Sequence, residues 1–171
     1  GLQGGPLEHV IAAKAVAFGE ALKPEFKTYA ENIVKNAKAL ARELIDYGFI
    51  LQGGGTENHL VLINCVESFG FDGKIYEKAL DMAGLTLNAN ALPTDKGGAF
   101  RPSGVRLGTP AITTRGFGIS EIKQLAKWMK QVADICQKAG SEEKLSQHSE
   151  ELAAIRDEVR TLSLKFPIPS I

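Results

Sequence analysis

Arg106 lies in the run Arg101-Pro102-Ser103-Gly104-Val105-Arg106-Leu107-Gly108-Thr109-Pro110-Ala111, between two glycines and beside hydroxyl side chains. A guanidinium is a planar fork of donors that can grip a carboxylate or a phosphate with two parallel bonds. A strand would hold that fork rigidly, and Gly104 and Gly108 would let backbone or ligand approach closely. Position alone favours a strand-end arginine in a surface ion pair, which binds nothing.

Other residues could do chemistry, and most have a plainer reading. Gly4-Gly5-Pro6 precedes a helical stretch. Exposed N–H groups at a positive dipole end there suit an anion, although the run also serves as simple chain entry. Gly53-Gly54-Gly55-Thr56 lacks the Gly-Lys-Ser/Thr ending of a phosphate loop and leads into a strand, so it reads as a hairpin turn. His9 falls on a helix among apolar neighbours, His59 starts a strand, and His148 lies in a charged linker where a solvated ring is expected. No His-Glu-x-x-His pattern or paired acid makes any of them a metal ligand. Cys65 in a β-like run and Cys136 on an apolar helix face form no Cys-x-x-Cys, and read as buried free thiols of a reducing compartment. Asn88 and Asn90 flank Ala89 at a strand end, where amides cap a turn or read a polar heterocycle. No Ser/His/Asp or Cys/His constellation emerges.

These residues need elements to position them. Leu7 to Leu22 is apolar almost all round, which predicts a buried helix or one covered by a partner. Pro24 starts a second helix, with Phe26, Tyr29, Ile33, Ala37, Leu40 and Leu44 as one apolar stripe and Gly48 as its stop. Strands are expected at Phe49-Ile50-Leu51, His59 to Val66, Leu85 to Asn88 and Val105-Arg106-Leu107. Lys74 to Ala83 reads as a helix ended by Gly84, and Ala91 to Ser103 as a loop. Ser120 is placed to cap a long helix with Ile122, Leu125, Met129, Val132 and Cys136 on its stripe. After Gly140 a polar linker leads to a last helix from about Glu150, ended by Pro167 and Pro169. Short strands alternating with helices predict an α+β domain with a small, mostly antiparallel sheet covered by helices on one face. The first two helices would lead in from elsewhere.

The chain has 171 residues, 44% apolar and 23% charged, enough for one domain with a real core and an ordinary soluble composition. Lys and Arg total 20 against 20 Asp and Glu, which removes the basic footprint of a nucleic-acid binder. No apolar run reaches membrane-span length, so no membrane partner is expected. The N-terminus resembles neither a signal nor a transit peptide and lacks an initiator Met, so a cut from something longer is expected.

Several stretches together resemble the serine hydroxymethyltransferase family. They are Gly4-Gly5-Pro6-Leu7-Glu8-His9 with Ala12 to Ala17, Glu25-Phe26-Lys27-Thr28-Tyr29, Gly54-Gly55-Thr56-Glu57-Asn58-His59, Asn88-Ala89-Asn90, and Pro102 through Gly116. They keep the family's order and cover roughly Gly1 to Met129. The resemblance implies the C-terminal piece of a cytoplasmic, fold-type I pyridoxal 5'-phosphate enzyme, a homodimer or homotetramer. Such an enzyme moves the serine hydroxymethyl carbon to tetrahydrofolate, giving glycine and methylenetetrahydrofolate. It further implies that Arg106 grips the substrate α-carboxylate. Gly4 and Gly5 would reach a cofactor phosphate in the neighbouring subunit's site. Asn90 would contact the pterin ring. Gly98, Ala99 and Phe100 would line the folate site, though they depart from a common bacterial Ser-Pro-Phe pattern. No Thr-Thr-His-Lys run occurs in the chain, so the lysine that holds the cofactor covalently is missing, no catalytic residue is assigned, and the isolated chain is expected to be inactive. Residues 1–22 would end the large cofactor-binding domain, 23–47 would form a long connecting helix, and 48–171 the small domain. Alternatives are the small domain of another fold-type I enzyme, such as an aminotransferase, or a non-catalytic oligomerisation module.

Overall fold

A computed structural model describes residues 4–93, 95, 100 and 102–169. The chain divides into two units, Gly1–Asn32 and Ile33–Ile171, and each is described by itself.

The first unit holds helix α1 (Glu8–Ala21) and the opening turns of α2 (Pro24–Asp46). No residue of α1 is buried, and Val16, Phe18 and Leu22 are largely exposed. The apolar circumference therefore finds no cover within its own unit, unlike a helix buried in a core. Phe26 and Tyr29, one turn apart, bring their rings to 5.7 Å.

In the second unit, four strands form one antiparallel sheet in the order β1-β2-β4-β3. They are β1 (Ile50–Leu51), β2 (Leu60–Asn64), β3 (Asn88–Asn90) and β4 (Gly104–Gly108). Strand alternation sends Leu51, Val61, Ile63 and Val105 to one face, where all four are buried. Against that face pack the rest of α2, α4 (Gly73–Met82), α6 (Ile119–Ala139) and α7 (Ser149–Leu164). Leu40, Leu44, Leu80, Ile122, Met129 and Leu152 fill the core almost completely out of solvent. The buried Tyr76 hydroxyl donates to Met129 O at 2.7 Å, and Trp128 Nε1 donates to Glu158 at 2.7 Å, tying α6 to α7. The architecture is the expected α+β fold with a small antiparallel sheet and helices on one face.

Local details differ from the sequence reading. The strand expected at Leu85 to Asn88 begins only at Asn88. Gly84, at φ 77°, turns the chain out of α4, and Leu85 N bonds back to Leu80 O at 2.8 Å, so Leu85 is spent closing the helix. The run expected to stay extended to Val66 stops at Asn64, whose side chain accepts from Glu67 N at 3.0 Å and caps a short helix, α3 (Cys65–Phe69). Cys65 is thus the first residue of a helix. Pro110, at the first helical position, opens another unforeseen helix, α5 (Pro110–Thr114). Ser120 lies inside α6, whose cap position is Gly118; the Gly118 N–H bonds to the Glu121 carboxylate at 2.9 Å. The linker after Gly140 forms a 3-10 turn, Glu143–His148. The His148 ring, expected to be solvated, contacts Glu151 at 2.6 Å and is only 20% exposed.

No helix among the described residues is long and apolar enough to cross a membrane.

Candidate functional site: the open face of the sheet

The face opposite the helices carries the candidate site. Strand β4 supplies Arg106, and its valine and leucine explain why it is a strand: Val105 enters the core and Leu107 is half-buried beside it. Arg106 alternates outward, pairing with Leu62 of β2 on one side and Asn88 of β3 on the other. It is exposed, and among the described residues no carboxylate or carbonyl engages its guanidinium. The surface ion pair left open on sequence grounds is therefore absent among those residues, and none of them blocks the fork from meeting a ligand.

Gly104 and Gly108 close both ends of β4. A Cβ on Gly104 would meet Ile63 O at 2.6 Å and Leu92 Cδ2 at 2.8 Å. Only glycine lets β4 run this close to β2 beneath the Leu92 side chain. Beyond Gly108, Thr109 N continues the pairing to His59 O at 3.1 Å, and its hydroxyl donates to Ile33 O of α2 at 2.9 Å. Asn36, buried on α2, donates to Thr113 Oγ1 at 2.9 Å and to Phe117 O at 3.0 Å. The segment after β4 is thereby fastened to α2. Sequence reading missed Asn36, although a polar residue one turn after Ile33 on an apolar stripe was a usable signal.

Asn90 stands on the same face as Arg106. It pairs with Gly104, two residues before Arg106 on the adjacent strand, and so lies diagonally across from the arginine. Its amide nitrogen donates to Ala91 O at 2.7 Å, and that of Asn88 to Ala89 O at 3.1 Å. The outer edge of β3 is occupied as well, since Glu77 of α4 accepts from Ala89 N at 2.9 Å. The structure thus brings Arg106, Asn88 and Asn90 together with the half-buried Leu60 and Leu62 on one face. None of these side chains can transfer a proton near neutral pH. The arrangement can bind and orient an anion beside a polar group, but it supplies neither nucleophile nor base.

Phe100 is 87% exposed. Gly98 and Ala99 lie outside the described residues. Gly4 and Gly5, in the first unit, are exposed, a Cβ at either would meet no atom within 4 Å, and no side chain caps α1. That open backbone before an uncapped helix suits a phosphate. His9 and His59 are exposed, and no group of three or more His, Cys, Asp or Glu among the described residues could hold a metal ion. A cavity of about 190 Å³ lies on the helix-covered side, lined by Leu85, Leu87, Leu107, Trp128 and Met129, and does not reach Arg106.

Both thiols are sealed. Burial, with a smaller push from Cys136 and Asp72, raises the Cys65 thiol far above its usual range, and burial alone pushes Cys136 up to about 12. Neither is a nucleophile at neutral pH.

Comparison with known proteins adds an independent finding. A family model described as serine hydroxymethyltransferase matches residues 1–129. The serine hydroxymethyltransferase of Methylorubrum populi is 51% identical over 170 residues, covering 99% of this chain and 38% of the relative. Those of two strains of Methylorubrum extorquens are each 49% identical over 169 residues, covering 98% of this chain and 38% of theirs. The chain thus spans about two fifths of the length of these curated relatives.

Proposed function

The chain belongs to the serine hydroxymethyltransferase family, and on that premise we propose that it is the C-terminal part of a pyridoxal phosphate enzyme interconverting serine plus tetrahydrofolate and glycine plus 5,10-methylenetetrahydrofolate. The observation that carries this reading is the exposed Arg106 guanidinium, without a partner among the described residues, on the same sheet face as Asn90. Arg106 binds the α-carboxylate of serine or glycine through two parallel bonds and fixes how the amino acid is turned. Asn90 hydrogen-bonds the pterin ring of the folate, and Gly98, Ala99 and Phe100 line its path. Gly4 and Gly5 offer backbone N–H groups to a cofactor phosphate in the neighbouring subunit's site of a homodimer or homotetramer. The cofactor, when bound, supplies an electron sink for changes at the substrate α-carbon. What this chain contributes is the grip and orientation of two substrates. In this reading residues 1–22 end the large domain, 23–47 connect, 48–171 are the small domain, and the enzyme works in the cytoplasm.

The same reading makes the chain inactive by itself, because it holds no Thr-Thr-His-Lys run whose lysine would bind the cofactor covalently. Pyridoxal phosphate added to the chain should give no absorbance band that borohydride fixes to a single lysine; such a band would refute the inactivity. In the complete protein carrying this chain, folate-dependent conversion of serine to glycine is the expected activity. Transamination without folate binding would point instead to the rival fold-type I enzyme.

A further inference from the structure

Three hydrogen bonds converge on the carboxylate of Asp95. Leu92 N and Ser103 N each donate to Oδ2 at 2.9 Å, and the Ser103 hydroxyl donates to Oδ1. Leu92 comes two residues after Asn90, the last residue of β3, and Ser103 directly precedes Gly104, the first residue of β4. One side chain therefore joins the exit of one strand to the entry of the next. Burial opposes its charge, but the Ser103 hydroxyl and amide and the Leu92 amide outweigh this and hold the carboxyl below its ordinary range.

Both joined points are anchored in turn. Ser103 O accepts from Cys65 N at 2.9 Å, which fixes it to the start of α3. Pro102 O accepts from Gly73 N at 2.8 Å, and a Cβ on Gly73 would sit 2.0 Å from Gly104 O, so α4 is wedged tightly against the same spot. The Leu92 side chain is buried over Gly104. Asp95 N also donates to Leu92 O at 3.0 Å, closing a turn at the exit of β3.

This base matters because β3 is so short. It is an edge strand joined to β4 by only three residue pairs: Asn88 with Arg106, Ala89 with Val105, and Asn90 with Gly104. A slip of one residue would carry Asn90 to the helix-covered face, and a slip of two would set it either directly opposite Arg106 or four residues away from it, changing their spacing in both cases. Three pairs with small polar side chains specify register weakly, so the fixed base of the connection must supply the remainder.

We propose that Asp95 is a positioning residue: its carboxylate locks the register of β3 against β4 and thereby sets the spacing between Asn90 and Arg106, so that a folate and an amino acid fit the site together. The ligand half of this inference rests on the function proposed above, and the register half does not. Two measurements separate them.

Hydrogen exchange on the chain itself tests the register. In Asp95→Asn, the amides of the β3–β4 pairing should exchange about tenfold faster, reflecting loss of a charged acceptor, while those between β1 and β2 stay as they were. Unchanged β3–β4 exchange overturns the proposal. Steady-state kinetics on the complete protein test the ligand half. Asp95→Asn should raise KM for tetrahydrofolate about tenfold, with kcat at saturating folate and KM for serine within about threefold. Ser103→Ala, which removes one of the three bonds, should give a smaller rise in the same direction. Equal losses in every parameter together with a lower melting temperature would reduce Asp95 to a stabilising residue and overturn the positioning role. A wild-type protein with no folate-dependent activity would instead sink the assigned reaction, and the exchange result would still decide the register.

Discussion

The two faces of the four-stranded sheet are made by the same strands and have opposite characters. On the helix-covered face Leu51, Val61, Ile63 and Val105 are all buried and apolar. On the open face Arg106 and Ile50 are exposed, and Leu60, Leu62, Asn88 and Asn90 are half-buried. Residues one position apart on β4 thus face different surroundings: Val105 is buried in the core and Arg106 is exposed on the open face. Concentrating stability on one face leaves the other free to carry a charge that no internal partner among the described residues neutralises. Mutations on the two faces should therefore separate stability from binding.

The largest effects test that separation directly. Ile63→Ala should cost about 2–5 kcal/mol of stability, because it opens a cavity in a packed core. Leu62→Ala, its neighbour on the open face, should cost about 1 kcal/mol or less. Urea unfolding of the two variants would decide, and similar losses would break the contrast. Arg106→Ala should show the reverse pattern. In the complete protein it should weaken serine and glycine binding by about 2–5 kcal/mol, as expected when charge-assisted bonds to a charged ligand are lost. The stability of this chain should change by no more than about 0.5 kcal/mol, as for an exposed residue without a partner among the described residues. Arg106→Lys should also bind poorly, since a point charge does not replace the fork. Unchanged affinity for both amino acids would remove the carboxylate role.

Next in size is an effect of alkali on the covered side. Cys65, Cys136 and Tyr76 lie in one core cluster, and burial keeps all three protonated well beyond their ordinary ranges. In the unfolded chain a thiol loses its proton near the ordinary value of 9.0. Above that pH the unfolded state binds fewer protons than the folded one, so stability must fall as pH rises. Each buried thiol should contribute a decline of about 1.4 kcal/mol per pH unit once its unfolded form has titrated. Denaturant midpoints measured between pH 8 and pH 11, from roughly one unit below that titration to two above it, would check this. Cys136→Ala, after allowance for its own packing loss, should flatten the slope. Slow alkylation of both thiols in the folded chain at mildly alkaline pH belongs to the same prediction.

How much of this was legible in the sequence varies by cause. Long helices with one apolar stripe, such as α2 and α6, were readable because burial imposes a 3.6-residue period over many turns. Strand β4 was readable from Val105 and Leu107 between glycines. Strand β3 was misplaced because Leu85-Thr86-Leu87 alternates like a strand, while the bond that spends Leu85 on closing α4 leaves no mark on hydrophobic pattern. α3 and α5 were missed because five residues are too few to show a helical period, and their signals are single capping residues, Asn64 and Pro110. For the site, Arg106 was found by its chemistry and Asn90 through family resemblance. That both share one face became visible only with the register. The Ser103 bonds of Asp95 and the bonds of Asn36 span 8 and 77 or more residues of chain, separations at which local spacing carries no information.

The smallest effect concerns charge at the entrance to β2, where Lys38 of α2 meets Glu57 at 2.6 Å. By distance alone this is among the shorter ion pairs between described residues, and Glu57 sits in the Gly54-Gly55-Thr56-Glu57-Asn58-His59 run that leads into β2. Yet the Glu57 side chain is 90% exposed and that of Lys38 49%, so water screens the attraction and two long side chains must be held still to make it. Glu57→Gln should therefore lower stability by less than about 1 kcal/mol, and the difference should shrink further in concentrated salt. Denaturant unfolding at low and high ionic strength would measure it. A loss comparable with that of Ile63→Ala would mean that the core is not the sole seat of stability, because an exposed pair can reach that size only by organising the turn before β2.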